Sequence, residues 1–293
     1  MNRIRALICV STVVFSAGCS RPGPQPITIG ALASTERILI AEIAAQHVEK
    51  RLGVTVDRRL DLGSTSIAYD GLVLGTTDVY PEDTNALVVS VLKEPLDPDP
   101  AIVLNRVRNE LPRLGRVQVL DPLGIRQRVS MAVRASDAKD GKMQKLSEAA
   151  RSRLAWTLGC TSDFEQRTDG YSVLMRTYNL PLKLAPKVLP PRGLYEALAS
   201  NQASMVAGYD TDGPLAGPEF TVLNDDKNAF QESRACLLVR QGAVERTPGL
   251  RAALDQLSRK FNNETMRKMN YEVDVEKAHV GAVAAEFLRQ AGL

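Results

Sequence analysis

The chain has 293 residues, of which 44% are hydrophobic, 24% charged and 5% aromatic, a composition that suits a globular protein long enough for two α/β lobes. It excludes a disordered, fibrous or multi-span membrane chain. With 37 Lys+Arg against 34 Asp+Glu and a formal charge of +3, the chain lacks the concentrated basic character of a nucleic-acid binder.

Asn2-Arg3-Ile4-Arg5 is a basic opening, residues 6–15 are a short apolar run, and Ser16-Ala17-Gly18-Cys19 closes it with small residues before a cysteine. A run that short cannot cross a bilayer, which takes about twenty apolar residues, so residues 1–18 read as an export signal. The small-small-Cys ending resembles a bacterial lipobox, with Ser16 where Leu is usual, and would make Cys19 the acylated N-terminus of the mature chain. An ordinary secretory leader with an incidental Cys19 is the alternative. Residues 19–26, rich in Pro and Gly, read as a tether. On either reading the mature protein works in the periplasm or at the outer face of the cell membrane.

From residue 27 onward short β-branched runs alternate with helical ones, which predicts α/β architecture with largely parallel sheets. Residues 27–30 read as a strand. Ile40, Ile43, Ala44, Val48 and Leu52 then repeat at helical spacing after a Ser34 or Thr35 cap. Residues 54–56 start a second strand, residues 61–65 turn into a helix, and residues 77–80 form a strand that runs into Pro81-Glu82-Asp83-Thr84. A helix through Leu87 and Leu92 follows. Residues 95–100 break the chain before a helix through Val103, Val107 and Leu111 and a strand at 117–120. Asp121-Pro122-Leu123-Gly124 is the candidate first crossing between lobes, and residues 221–226 the candidate return. Between them, residues 129–133, 154–158 and 204–208 read as strands of a second lobe, with Trp156 as a packed residue. Leu250 to Phe261 and Val280 to Ala291 carry two amphipathic helices. The expected lobes are thus 27–123 plus 224–293, and 124–223.

Only Cys160 and Cys236 fall in the folded part, and whether they pair is open at this level. His47 and His279 lie far apart with no metal-ligand spacing around them. No cofactor motif and no catalytic elbow or phosphate loop is evident.

Taken in order, several segments are similar to one family. They are Ile27-Thr28-Ile29-Gly30 with Thr35-Glu36, Leu62-Gly63-Ser64-Thr65, Asp78-Val79-Tyr80-Pro81-Glu82, Pro122-Leu123-Gly124, Ala132-Val133-Arg134, Phe164 with Arg167 and Asp169-Gly170, Gly193-Leu194-Tyr195, Tyr209 with Thr211-Asp212-Gly213, and Asp225-Asp226-Lys227. They are collinear over nearly the whole mature chain, which resembles the substrate-binding proteins of osmoprotectant ABC importers (glycine betaine, choline, proline betaine). The resemblance implies a two-lobed type II periplasmic-binding fold, a cleft that closes on one small charged solute, an ABC permease as membrane partner, no cofactor, no nucleic acid, and action as a monomer.

The same resemblance implies that Arg167 grips a ligand carboxylate in a bidentate pair and that Tyr209, with Tyr195, walls a cation site. Against each stands a plainer reading: an ion pair of Arg167 with Glu165 or Asp169, and packing for the tyrosines. The chain departs from the family at several ligand positions. It has Asp83-Thr84-Asn85-Ala86 where Tyr-Thr-Gly-Thr is usual, Leu32 where a lysine is usual, and Arg37 where a glutamine is usual, read here as a solvated helix end with reach into the cleft as the alternative. Asp83 and Asp210 are candidate partners for an ammonium that can donate hydrogen bonds, with helix capping and turn chemistry as their alternatives. Arg128, beside Arg126 near the first crossing, would favour a carboxylate-bearing ligand if it faced inward. Two other functions compete: an enzyme using paired carboxylates at Glu82-Asp83 or Asp210-Asp212, and a binding fold repurposed as a sensor or scaffold that no longer takes an osmoprotectant.

Overall fold

The computed structural model describes residues 26–152 and 154–293; the expected leader, Cys19 and most of the tether lie outside the described residues. Eleven strands form two sheets: β1 Ile27–Gly30, β2 Val56–Arg59, β3 Val79–Asp83, β4 Val117–Val119, β5 Arg126–Gln127, β6 Val129–Arg134, β7 Leu158–Cys160, β8 Lys187–Val188, β9 Met205–Tyr209, β10 Phe220–Leu223 and β11 Ser233–Arg240. The first sheet has the order β2-β1-β3-β11-β4 with β5 on the end of β11, and the second has the order β10-β6-β9-β7-β8.

Helices cover both sheets, and local chemistry places their ends. Ser34 caps the helix Thr35–Leu52, accepting from the Arg37 N–H at 3.3 Å, and Gly53 ends it in the left-handed conformation. The inner face of that helix, Ile40, Ile43, Ala44 and Val48, packs with Ile27 and Ile29 of β1 and with the C-terminal helix Val280–Ala291. Asp99 caps the helix Pro100–Gly115, whose Val103, Val107 and Leu111 fill the opposite face of the same sheet. In the second lobe Trp156, Leu158, Leu174 and Met205 form the core on one side, and Leu194, Leu198 and Val206 that on the other.

The sheets are mixed rather than largely parallel. β1, β2 and β3 run parallel, as do β7, β8 and β9, but β11 runs against β3, β4 and β5, and β6 runs against β9 and β10. The reason lies in connectivity: β6 and β11 are the strands that enter each lobe from a crossing, and each inserts into a right-handed βαβ array from the opposite end.

The crossings sit a few residues beyond the turns expected from sequence. Leu123 and Ile125 are buried in the first core, and Arg126–Gln127 still pairs with Ser233 and Arg234. Phe220–Leu223 pairs with β6, and Phe230 is buried in the second core. The lobes therefore part between Gln127 and Val129 and rejoin between Phe230 and Ser233, because Ile125 and Phe230 each carry their apolar side chain into a core before the chain can turn. The expected strand at 154–158 contributes a bridge from Trp156 to Leu182 and, at Leu158, the first residue of β7. A third contact joins the lobes. Asp210–Gly213 lies against the helix Asn263–Asp274, with Arg267 donating to the Asp210 carbonyl at 2.8 and 2.6 Å and Asn270 to the Thr211 carbonyl at 2.8 Å. Cys160 and Cys236 are free, buried and in different lobes.

Gly124 pins the first crossing. Its φ is +112°, and a Cβ there would stand 2.1 Å from the Phe261 carbonyl oxygen. Gly124→Ala should therefore cost about 3 kcal/mol from backbone strain and overpacking, measured by urea denaturation. An unchanged midpoint would mean that this crossing is not held against residues 259–261.

Candidate functional site

The parallel strands of both lobes point their carboxyl ends at the same space, where α/β folds bind ligands. β1 leads to Leu32–Thr35, β3 ends in Glu82 and Asp83, β7 leads to Asp163, β8 to Pro190, and β9 ends in Tyr209. Between the lobes they enclose a cavity of about 530 Å³ whose walls include Arg37, Glu82, Asp83, Asp163, Arg167 and Tyr209. A second cavity of about 540 Å³ lies behind Arg37 and Tyr209, lined by Thr35, Glu36, Tyr195, Asp212 and Asp274 among others.

Arg37 stands between the two. It is 6% exposed, not a solvated helix end, because the helix that carries it opens directly into the cleft. Its Nη2 pairs with Asp83 Oδ2 and lies 3.5 Å from Glu82 Oε1, while its Nη1 lies 3.5 Å from Glu36 Oε1. Burial works against its charge, but Asp83, Glu82 and Glu36 together hold its pKa above the ordinary arginine value. Glu36 in turn accepts from Gln127 Nε2 at 2.9 Å and from the Thr211 hydroxyl at 2.5 Å, which ties the first turn of its helix to the first crossing and to the Asp210–Gly213 contact between the lobes. Asp83 occupies the position before a short helix but caps nothing; its carboxylate is engaged by Arg37, and its Oδ1 is buried without a partner.

Across the cleft, Arg167 is closed on Asp169, with Nε donating to Oδ1 at 2.8 Å and Nη2 to Oδ2 at 2.5 Å. The fork available for a bidentate carboxylate is thus already used within the lobe. Tyr209 lies beside it, its phenol pushed up by burial. Tyr195 is one layer back: its hydroxyl donates to Asp212 Oδ2 at 2.8 Å, and the same oxygen accepts from the Tyr209 N–H at 2.8 Å. Arg128 is exposed, and Asp210 accepts from the Arg128 N–H at 3.1 Å and from Asn263 Nδ2 at 3.2 Å. Both sit at the hinge and line neither cavity.

Arg37 and Asp163 are the two cleft residues that sequence reasoning missed as participants. Asp163 is distinctive because its carboxylate has no hydrogen bond or ion pair among the described residues. Burial raises its pKa, with Arg167 and Arg37 working in the opposite direction. The spacing of Arg37 and Asp83 carries no local signal of their pairing.

Residues 25–290 match the family described as the substrate binding domain of ABC-type glycine betaine transport system. The chain belongs to this family. It is a solute-binding component of an ABC importer, not an enzyme, and works outside the cytoplasm with a membrane permease. A carnitine transport binding protein of Listeria monocytogenes is 28% identical over 294 residues, covering 97% of this chain and 94% of the relative. A glycine-betaine-binding protein of Pseudomonas aeruginosa is 28% identical over 303 residues, covering 99% and 95%. A glycine betaine/carnitine/choline ABC transporter structure superposes with a TM-score of 0.73 at 23% identity, covering 91% of this chain and 98% of that one. The substrate-binding domain thus has the two-lobed fold of this family, and no described helix is long and apolar enough to cross a membrane.

The buried carboxylates make the cleft responsive to pH. Burial raises Glu36 to about 7, with Arg37 partly offsetting it, and raises Glu82 and Asp212 to about 6 each. A carboxyl that binds its proton more tightly when folded contributes stability that is present below its unfolded pKa, about 4.5 for Glu, and lost as pH rises through its folded value. Between about pH 5 and about pH 7 the ligand-free protein should therefore lose stability from these groups. His47, held below its ordinary value by burial, acts in the opposite sense, so the comparison with a variant is decisive. Glu36→Gln should flatten the fall in melting temperature over that interval in scanning calorimetry; a slope identical to the parent would remove Glu36 as its source.

Proposed function

We propose that the cleft captures a small organic cation of the quaternary-amine and amine class, recognised through its positive charge rather than through a carboxylate. One observation carries this reading: both arginines in the cleft are already paired within the protein, Arg37 with Asp83 and Arg167 with Asp169, whereas Asp163 is an unpaired carboxylate in the same cavity. A cation entering there meets Asp163 on a wall shared with Tyr209, an arrangement that suits an alkylammonium. An ammonium with N–H donors gains more from the carboxylates than one enclosed in methyl groups. Carnitine, glycine betaine and choline, named for the relatives and neighbours, all carry such a head group, and the first two add a carboxylate for which this cleft has no free guanidinium fork.

In isothermal titration calorimetry at low ionic strength, choline and protonated amines should bind more tightly than glycine betaine, and Asp163→Asn should weaken the cation by about tenfold or more. Glycine betaine binding above choline, or an unaltered affinity in D163N, would overturn this reading.

The protein acts as a monomer held at the membrane by lipid on Cys19, and the Pro/Gly-rich tether keeps the lobes near the permease and raises the local concentration of loaded receptor. Cys19→Ser should move the protein from the detergent phase to the aqueous phase on phase partitioning. Retention of the variant in the detergent phase would exclude this anchor.

A further inference from the structure

We propose that the solute carries an apolar body as well as a cationic head. This rests on the proposed cation site and extends it. Beside its charged residues and several serine and threonine side chains, the 530 Å³ cavity is lined by Leu32 and Ala33 of the first lobe and by Val188, Leu189, Pro190 and Leu194 of the second. None of those six can pair with charge. Val188 ends the edge strand β8 and is 48% exposed, an open apolar surface on the wall of the cleft.

Size points the same way. At a generous share of about 30 Å³ per heavy atom, the volume water takes in the liquid, a compact cation of about eight heavy atoms fills about 240 Å³, less than half of the 530 Å³ present. The cavity falls in the range of about 300–1,000 Å³ that encloses larger organic ligands. A head group alone would leave the apolar wall in contact with water after closure, whereas an alkyl or aryl tail would displace that water and add to the closed state from both lobes.

The test is a homologous series on the purified full-length mature protein: methyl-, ethyl-, butyl- and hexylammonium, with choline as reference, by titration calorimetry at two temperatures. Affinity should rise about threefold to fourfold per added methylene, with a heat-capacity change that grows more negative along the series. Val188→Ser and Leu189→Ser should each reduce that slope. An affinity independent of chain length, with methylammonium or choline still bound, overturns the apolar-body proposal and leaves the cation reading standing. Failure of the whole series and of choline to bind overturns the cation reading itself. A slope in V188S and L189S equal to that of the parent would show that the gain arises elsewhere, and also overturns the proposal.

Discussion

A buried guanidinium surrounded by three carboxylates is the constraint around which this molecule is arranged. Removing Arg37 from water costs several kcal/mol, and only close, well-oriented counter-charges can offset that. Asp83 supplies the direct contact, Glu82 and Glu36 stand 3.5 Å away, and Glu36 passes the restraint on to Gln127 and Thr211 at the hinge. The first turn of one helix, the end of the third strand, the first crossing and the Asp210–Gly213 contact are thereby held in one geometry. The same network leaves Arg37 engaged within the protein, its guanidinium directed at Asp83, Glu82 and Glu36.

The mixed sheets serve that arrangement. Parallel strands deliver their carboxyl ends to the cleft, so most of the loops that line it follow a strand paired on both sides, the edge strand β8 being the exception. The antiparallel strands β6 and β11 start at the cleft and run away from it, which lets the two-residue pairing of Arg126–Gln127 with Ser233 and Arg234 act as a narrow ribbon between lobes. A narrow ribbon bends more readily than a wide interface, and the contact of Asp210–Gly213 with the helix Asn263–Asp274 limits how far the second lobe can rotate. The lobes also touch across the cleft mouth, where Arg192 donates to the Thr35 hydroxyl at 3.2 Å and Thr35 to Asp274 at 2.5 Å.

Much of the architecture was readable where a signal is local. Ser34 as a cap, the spacing of Ile40, Ile43 and Val48, and the break at residues 95–100 each depend on neighbours within a turn or two of chain. β11 was not recognised: Ala235, Cys236, Leu237, Leu238 and Val239 are all buried, so the central strand shows no alternation, and periodicity cannot identify it. The helix Asn263–Asp274 was missed because its polar composition masks the buried Met266, Met269 and Asn270. At the site, resemblance brought out Arg167, Tyr209 and Tyr195, but not the state of their polar atoms. Arg37 was misread because its partner lies 46 residues away and pairing at that range leaves no trace in local pattern. Asp163 escaped notice for the opposite reason: an acidic residue in the first turn of a helix is so common that only its lack of partners in the folded cleft sets it apart.

Charge also bears on how closure is coupled to occupancy. The second lobe brings Asp163 and Asp212 toward a first lobe that presents Glu82 and Asp83, and the two arginines that face the main cavity, Arg37 and Arg167, do not balance these four. Burying carboxylates in a space that loses water as it closes raises the energy of the unoccupied cleft: burial is the chief cause of the upward shifts of Glu36, Glu82 and Asp212, and neighbouring carboxylates add to it. A solute shifts a hinge equilibrium only by what it gains in the closed form over the open one. A cation placed between the lobes gains there because it offsets the cost of burying those carboxylates as ions. An excess of buried carboxylates, unfavourable for the empty receptor, is therefore what makes closure depend on the charge of the occupant.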